Sequence, residues 1–239
     1  MTQFVAIATR ELSSYFRTPV GWVVTALYVT LSSIVFAFMV LGPAEPASLR
    51  PFFGLSGWLL MFLAPAVSMR LMADEYRSGS IEALMTAPVS DWVVIAGKYI
   101  GAVAFLAIML LPTLIYPATL EWLADPDYGP MLAGYLGLAL SGMLYLAAGM
   151  LFSTLTSSQT LAFLGTLLTL LLIRLTTAEG IAQRAPAPWS DALFAISIDV
   201  RLSDFARGAI STGDAAFFII ASAWLMVLSV IALQSRRWR

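Results

Sequence analysis

The sequence predicts an all-α polytopic membrane protein with six transmembrane helices, and three observations carry that prediction. Of its 239 residues 60% are hydrophobic and only 11% charged, mean hydropathy is +0.87, and the apolar residues gather into six runs with at most one charge each. Six spans of about 20 residues leave room for short connections and little else, so no separate soluble catalytic domain is expected. With no Cys and no His, thiolate nucleophiles, disulfides, zinc sites and Ser/His/Asp triads are excluded by residue type. The net charge of -1 favours no nucleic-acid partner, and no metal site or catalytic residue is expected in the chain.

The first element, residues 3–17, sets Phe4, Ala8, Leu12 and Tyr15 along one side at helical spacing, with Arg10, Ser13, Ser14 and Arg17 turned elsewhere. That pattern predicts an amphipathic helix at the membrane surface, retained rather than cleaved, because the apolar run behind it is span-length. Thr18-Pro19 interrupts the chain, and residues 21–41 form the first span. After the turn at Gly42-Pro43-Ala44-Glu45-Pro46 comes the second, 53–69, kinked at Pro65. The third, 92–116, contains Lys98 near its start, where it is expected to snorkel to the interface, and Pro112 and Pro117 mark its far end. Beyond Glu121, Asp125 and Asp127 lie a fourth span, 131–152, a polar hairpin at Ser153 to Thr160, and a fifth span, 160–174. The sixth, 215–233, stops at the basic and aromatic anchor Arg236-Arg237-Trp238-Arg239.

Six spans put both termini on one side of the membrane. Eight basic residues fall on the terminal side (Arg10, Arg17, Arg70, Arg77, Lys98, Arg236, Arg237 and Arg239) against five opposite, which predicts cytoplasmic termini.

The long connection on that side, Arg70 to Asp91, carries the densest local signal. Gly79 permits a sharp turn, Ser80 is a good N-cap, Glu82 sits in a first turn where the helix dipole favours an anion, and Pro88 stops what Ser80 began. In a helix over about 80–87, Ile81, Leu84 and Met85 fall at i, i+3 and i+4 and form a compact apolar knob. Spacing alone leaves open whether that knob packs under its own bundle or docks into another protein.

Glu75-Tyr76-Arg77-Ser78-Gly79-Ser80-Ile81-Glu82-Ala83-Leu84-Met85-Thr86-Ala87-Pro88, followed by Gly97-Lys98, resembles the signature of ABC-2 type transporter permeases. That signature runs acidic-x-basic-x-Gly-Thr/Ser-aliphatic-Glu-x-Leu-x-x-x-Pro, then Gly-Lys. Phe205-Ala206-Arg207-Gly208-Ala209-Ile210 before the last span, with Leu233-Gln234-Ser235-Arg236-Arg237-Trp238 after it, is similar to the gliding-motility (GldF-like) branch. The resemblance runs through the whole chain in span order. It implies one transmembrane domain, 1–239, in the bacterial inner membrane, with residues 3–17 as an elbow helix and Gly79 to Pro88 as a coupling helix seated in a separate ABC ATPase. Glu75, Gly79, Ser80, Ile81, Glu82, Leu84, Met85 and Pro88 are then the ATPase-contact residues. Gly97-Lys98 is not a nucleotide-binding loop, since Trp92 stands where the first glycine belongs and Tyr99 replaces the hydroxyl residue. ATP and magnesium are accordingly expected in the partner.

The connection 176–213 on the opposite side is too long for a turn alone. Leu202, Phe205, Ala206 and Ile210 are spaced for one apolar face, with Arg201, Asp204 and Arg207 on the other. The resemblance implies re-entrant helices here, making Arg201, Asp204, Phe205, Arg207 and Gly208 candidates for an outer gate; an ordinary surface lid is the alternative. Gly97/Gly101, Gly137/Ser141 and Gly149/Ser153 read as close helix packing. Thr25, Thr30, Ser32 and Ser33 inside the first span are expected to bond their own backbone.

Two functions remain in view. One is an ABC permease that pairs with a second copy or a paralogue and exports a substrate. The other is a membrane-embedded regulator that passes the ATPase's motion to a periplasmic protein without moving a molecule. Both keep membrane lipid as surroundings and an ABC ATPase as partner. Intramembrane aspartyl proteolysis is disfavoured, since every Asp is expected in a connection.

Overall fold

The structure, a computed structural model, describes residues 2–42, 48–81, 89–124, 126–186 and 188–237. Those residues are mainly helical, with no strand among them, in agreement with the all-α membrane class. Six stretches are long and apolar enough to span a membrane: Pro19–Met39, Arg50–Ser78, Asp91–Leu123, Tyr128–Leu155, Gln159–Thr176 and Thr212–Ser235.

The amphipathic helix α1 (Thr2–Arg17) precedes the first span, α2 (Pro19–Met39), and the extended Thr18 between them, with Pro19 behind it, turns the chain. The second stretch comprises α3 (Arg50–Ser68) and α4 (Arg70–Ser78). It runs past the expected end at residue 69, because Leu71, Met72 and Ala73 are buried and Arg70 and Arg77 both pair with Asp74, at 3.5 and 3.7 Å. The joint is repaired from outside: the Ser153 hydroxyl accepts from the Met72 and Ala73 amides at 2.9 and 3.0 Å and donates to the Met69 carbonyl at 2.9 Å. One side chain thus satisfies three backbone groups that a break in the helix would leave dry.

The third stretch also outruns its expected end. It consists of α5 (Asp91–Leu110), a 3-10 turn at Leu111–Leu114 and α6 (Ile115–Leu123). The tight turn absorbs Pro112, and the Thr113 carbonyl, which the ring nitrogen of Pro117 cannot reach as a donor, receives the Tyr135 hydroxyl instead at 2.7 Å. Tyr116 anchors the same region: its hydroxyl bonds Ser32 at 3.0 Å and Ser33 at 2.8 Å, and its ring stacks on Phe36. Two of the first span's polar residues therefore hold helices together as well as bonding their own backbone.

The fourth span, α7 (Tyr128–Leu155), is the axis of the bundle and packs against α3, α5 and α4. It also packs on α8 (Gln159–Thr176) and α12 (Thr212–Arg237). Between α8 and α12 the connection folds as α9 (Glu179–Ala182), α10 (Trp189–Ile196) and α11 (Ile198–Ala206), and α11 lies on α7 and α3. The approach of α7 to α3 is close because Gly149 lacks a side chain; a Cβ there would fall on the Ser68 hydroxyl and within 2.5 Å of its Cβ.

Candidate functional site: the two ends of the bundle

The elbow-like helix α1 lies along α5. Gly97 and Gly101 make this possible, since added Cβ atoms would stand 2.9 Å from Ile7 Cγ2 and 2.7 Å from Glu11 Cβ. The inner stripe of α1 is therefore Phe4, Ile7, Ala8, Glu11 and Tyr15, and it contains an acid. Tyr15 is fully buried, stacks on Phe105 with ring centroids 4.5 Å apart, and donates to the Val67 carbonyl at 3.1 Å. Burial, reinforced by the nearby Glu11 charge, pushes its phenol well above the ordinary tyrosine value, so the hydroxyl stays a donor.

Glu11 meets Lys98. The Lys98 ammonium lies 3.1 Å from Glu11 Oε2 and 2.9 Å from Glu75 Oε1, and the three side chains are only 4, 10 and 13% exposed. Lys98 does not snorkel as its position near the start of the span suggested. The packed α1 and α4 cover it, and two acids replace the water it would otherwise seek. Arg10, on the exposed face of α1, adds a 3.3 Å contact to the same Glu75 oxygen. Glu75 Oε2 is buried with no hydrogen-bond partner among the described residues. The cluster joins three elements: the surface helix, the tail of the second span and the start of the third.

Around it a second layer fixes α4. Arg70 donates to Thr18 Oγ1 at 2.9 Å and lies over the Tyr15 ring, while Asp74 accepts from Gln159 across the polar hairpin. Nine residues of α4 carry the chain about 13 Å at 1.5 Å per residue. It ends at Gly79, which adopts φ 74°, a left-handed conformation that favours glycine. Ser80 bonds the Ser78 hydroxyl at 2.9 Å, and Ile81 is half-buried against the core. The chain re-enters at Ser90, which caps α5 by accepting from the Val93 amide. Of the expected ATPase-contact residues the structure brings Glu75, Gly79, Ser80 and Ile81 to this end; Glu82, Leu84, Met85 and Pro88 lie outside the described residues.

At the other end, Leu202, Phe205 and Ala206 of α11 are buried, with Phe205 fully enclosed against Gly137 of α7 and the Phe218 ring of α12. That apolar face is covered by protein. Ile210 departs from it and is exposed, because α11 ends at Ala206 and Gly208, at φ 85°, redirects the chain past Pro130. Arg201 pairs with Asp214, donates to the Ala195 carbonyl at 2.6 Å and lies 4.2 Å from the Phe217 ring centroid. Asp204 and Arg207 stay at the surface, 3.9 Å apart. Arg174, at the end of the expected fifth span, lies within α8, fully buried, paired with Asp199 through Nε at 3.0 Å and through Nη2, and 4.0 Å over Trp58. Nor are all the Asp residues in connections: Asp74, Asp91 and Asp214 fall within the span-length helical stretches. No two of them form a buried pair among the described residues.

No curated protein matches the chain in sequence. A family model described as ABC-2 family transporter protein matches residues 5–237, from the elbow-like helix to the end of the last span. The chain belongs to the ABC-2 transporter family, as a multi-pass membrane subunit that works with an ABC ATPase subunit.

Proposed function

We propose that the chain is the permease of an exporter of the bacterial inner membrane, with both termini cytoplasmic, and that Gly79 to Pro88 is the coupling helix through which the ATPase drives the spans. One observation carries this reading: the second span continues beyond the apolar zone as α4, and Glu75 near its tip shares Lys98 with Glu11 of α1. A push on the segment after Gly79 is then delivered to three elements at once. ATP and magnesium belong to the partner, and the apolar knob enters it through Leu84 and Met85, while Ile81, half-buried against the permease core, holds the base of the knob. The buried attachment of α11 through Phe205 and Arg174 supports an outer closure that opens only when α3, α7, α8 and α12 shift relative to one another. The gliding-motility branch is supported by the Phe205 to Ile210 and Leu233 to Trp238 matches.

Six spans make half of a symmetric path, so the working unit is a permease dimer, a homodimer needing fewest assumptions, with two ATPases. Reconstitution with the cognate ATPase tests this reading. Native mass measurement is expected to give two permeases and two ATPases with ATP hydrolysis in membranes; an active complex containing a single permease chain would contradict it.

A further inference from the structure

The outer ends of the first two spans and α11 enclose a groove of about 660 Å³, and a second cavity of about 380 Å³ adjoins it, both lined by Met39, Arg50, Pro51 and Ala206. The walls of the larger groove are apolar at Leu55, Trp58 and Leu202, and its rim carries Arg50 and Arg207. Among the described residues, the acids that line the two grooves each have a partner. Both Asp199 oxygens go to the buried Arg174, and Asp127 in the smaller cavity accepts from the Gly129 amide at a helix start. Arg50 has no ion pair among the described residues, and Arg207 has only the loose 3.9 Å approach to Asp204. The larger groove therefore sets the Arg50 guanidinium and the loosely paired Arg207 above an apolar trough, at the end of the spans where phosphate headgroups of the surrounding leaflet lie.

We propose that this groove seats one anionic phospholipid of the outer leaflet, its phosphate held by Arg50 and Arg207 and an acyl chain laid along Leu55 and Trp58. Gly54 forms part of the trough, and a Cβ added there meets nothing within 4 Å, so the space in front of it is open to a ligand. A lipid bound here bridges the first two spans to α11 and rests beside the Trp58–Arg174–Asp199 contact that fastens the outer connection.

The test uses the permease–ATPase complex in detergent, stripped of lipid and then equilibrated with labelled phosphatidylglycerol or phosphatidylcholine of the same chains. Wild type is expected to retain phosphatidylglycerol in preference. Arg50→Gln with Arg207→Gln weakens that retention about thirtyfold, as two basic residues at a lipid surface imply, and leaves phosphatidylcholine unchanged. Gly54→Phe fills the trough and removes retention while the lipid-free complex melts where wild type does. Equal retention of the two lipids by wild type, undiminished phosphatidylglycerol on Gly54→Phe, or full displacement of the lipid by millimolar inorganic phosphate would each overturn the proposal.

Discussion

Replacing Lys98 by Met isolates the cluster that ties α1, α4 and α5 together. Among the described residues, the substitution removes the only cation within 3.1 Å of Glu11 Oε2 and one of two near Glu75 Oε1; it keeps most of the apolar stem and leaves two mostly buried carboxylates facing each other. Breaking a buried pair by deleting one partner costs about 3–5 kcal/mol. Arg10 can still reach Glu75, and the carboxylates keep 10 and 13% exposure, so the low end, about 3 kcal/mol, applies. For a chain of this length that corresponds to a melting shift of roughly 6–12 °C. The informative comparison is Lys98→Met combined with Glu11→Gln and Glu75→Gln, which removes the stranded charges and recovers most of the loss. Thermal unfolding of the purified complex followed by tryptophan fluorescence reads both variants. A single variant melting within about 2 °C of wild type, or a triple variant no better than the single, would refute the reasoning.

Ser153→Ala strands the Met72 and Ala73 amides and the Met69 carbonyl; at about 1–3 kcal/mol for each unsatisfied buried group, the joint between α3 and α4 loosens. Amide exchange localised to residues 72 and 73 checks this, and unchanged protection there would count against it. Gly149→Ala drives a Cβ into Ser68 and is expected to lower stability by about 1–3 kcal/mol, whereas Gly54→Ala, with open space around it, is neutral or mildly stabilising; melting of the two variants separates them. Tyr15→Phe costs about 1 kcal/mol through its lost bond to Val67. Because burial raises the folded phenol's pKa, Tyr15 contributes fully below pH 10 and its contribution is lost at higher pH, so the gap between wild type and Tyr15→Phe narrows above about pH 10. A gap that widens there would contradict the assignment.

The six spans were legible because apolar runs of span length have few other uses. Their ends were not, and the reasons are local. Arg70, Asp74 and Arg77 looked like the start of a loop, but i,i+3 and i,i+4 pairing lets them continue a helix whose other face is buried. Pro112 and Pro117 looked like a stop, yet a 3-10 turn and the Tyr135 hydroxyl supply what the prolines withhold. At the candidate site, Lys98 was read from its own run, where no acid is near; its partners lie 87 and 23 positions away, Glu11 and Glu75. A signal did exist: Glu11 falls at helical spacing with Phe4, Ala8 and Tyr15, and an acid on an apolar stripe calls for a buried cation. Arg174 carried a similar signal at the end of an apolar run. Its carboxylate lies on a short helix whose docking is decided only by tertiary packing.

The central claim is that the segment after Gly79 transmits the ATPase's work, and Leu84→Asp tests it most directly. A groove-bound knob buries Leu84 and Met85 at about 1.5–3 kcal/mol each, and a carboxylate placed there costs several kcal/mol more than the contact can absorb. The measurement is co-purification of the ATPase with the variant from membranes, together with its ATP hydrolysis, beside Leu138→Asp in the buried face of α7 as a folding control. Leu84→Asp is expected to insert normally but to lose the ATPase or its coupling, while Leu138→Asp fails to accumulate. An inserted Leu84→Asp permease that retains the ATPase with wild-type coupling would contradict it.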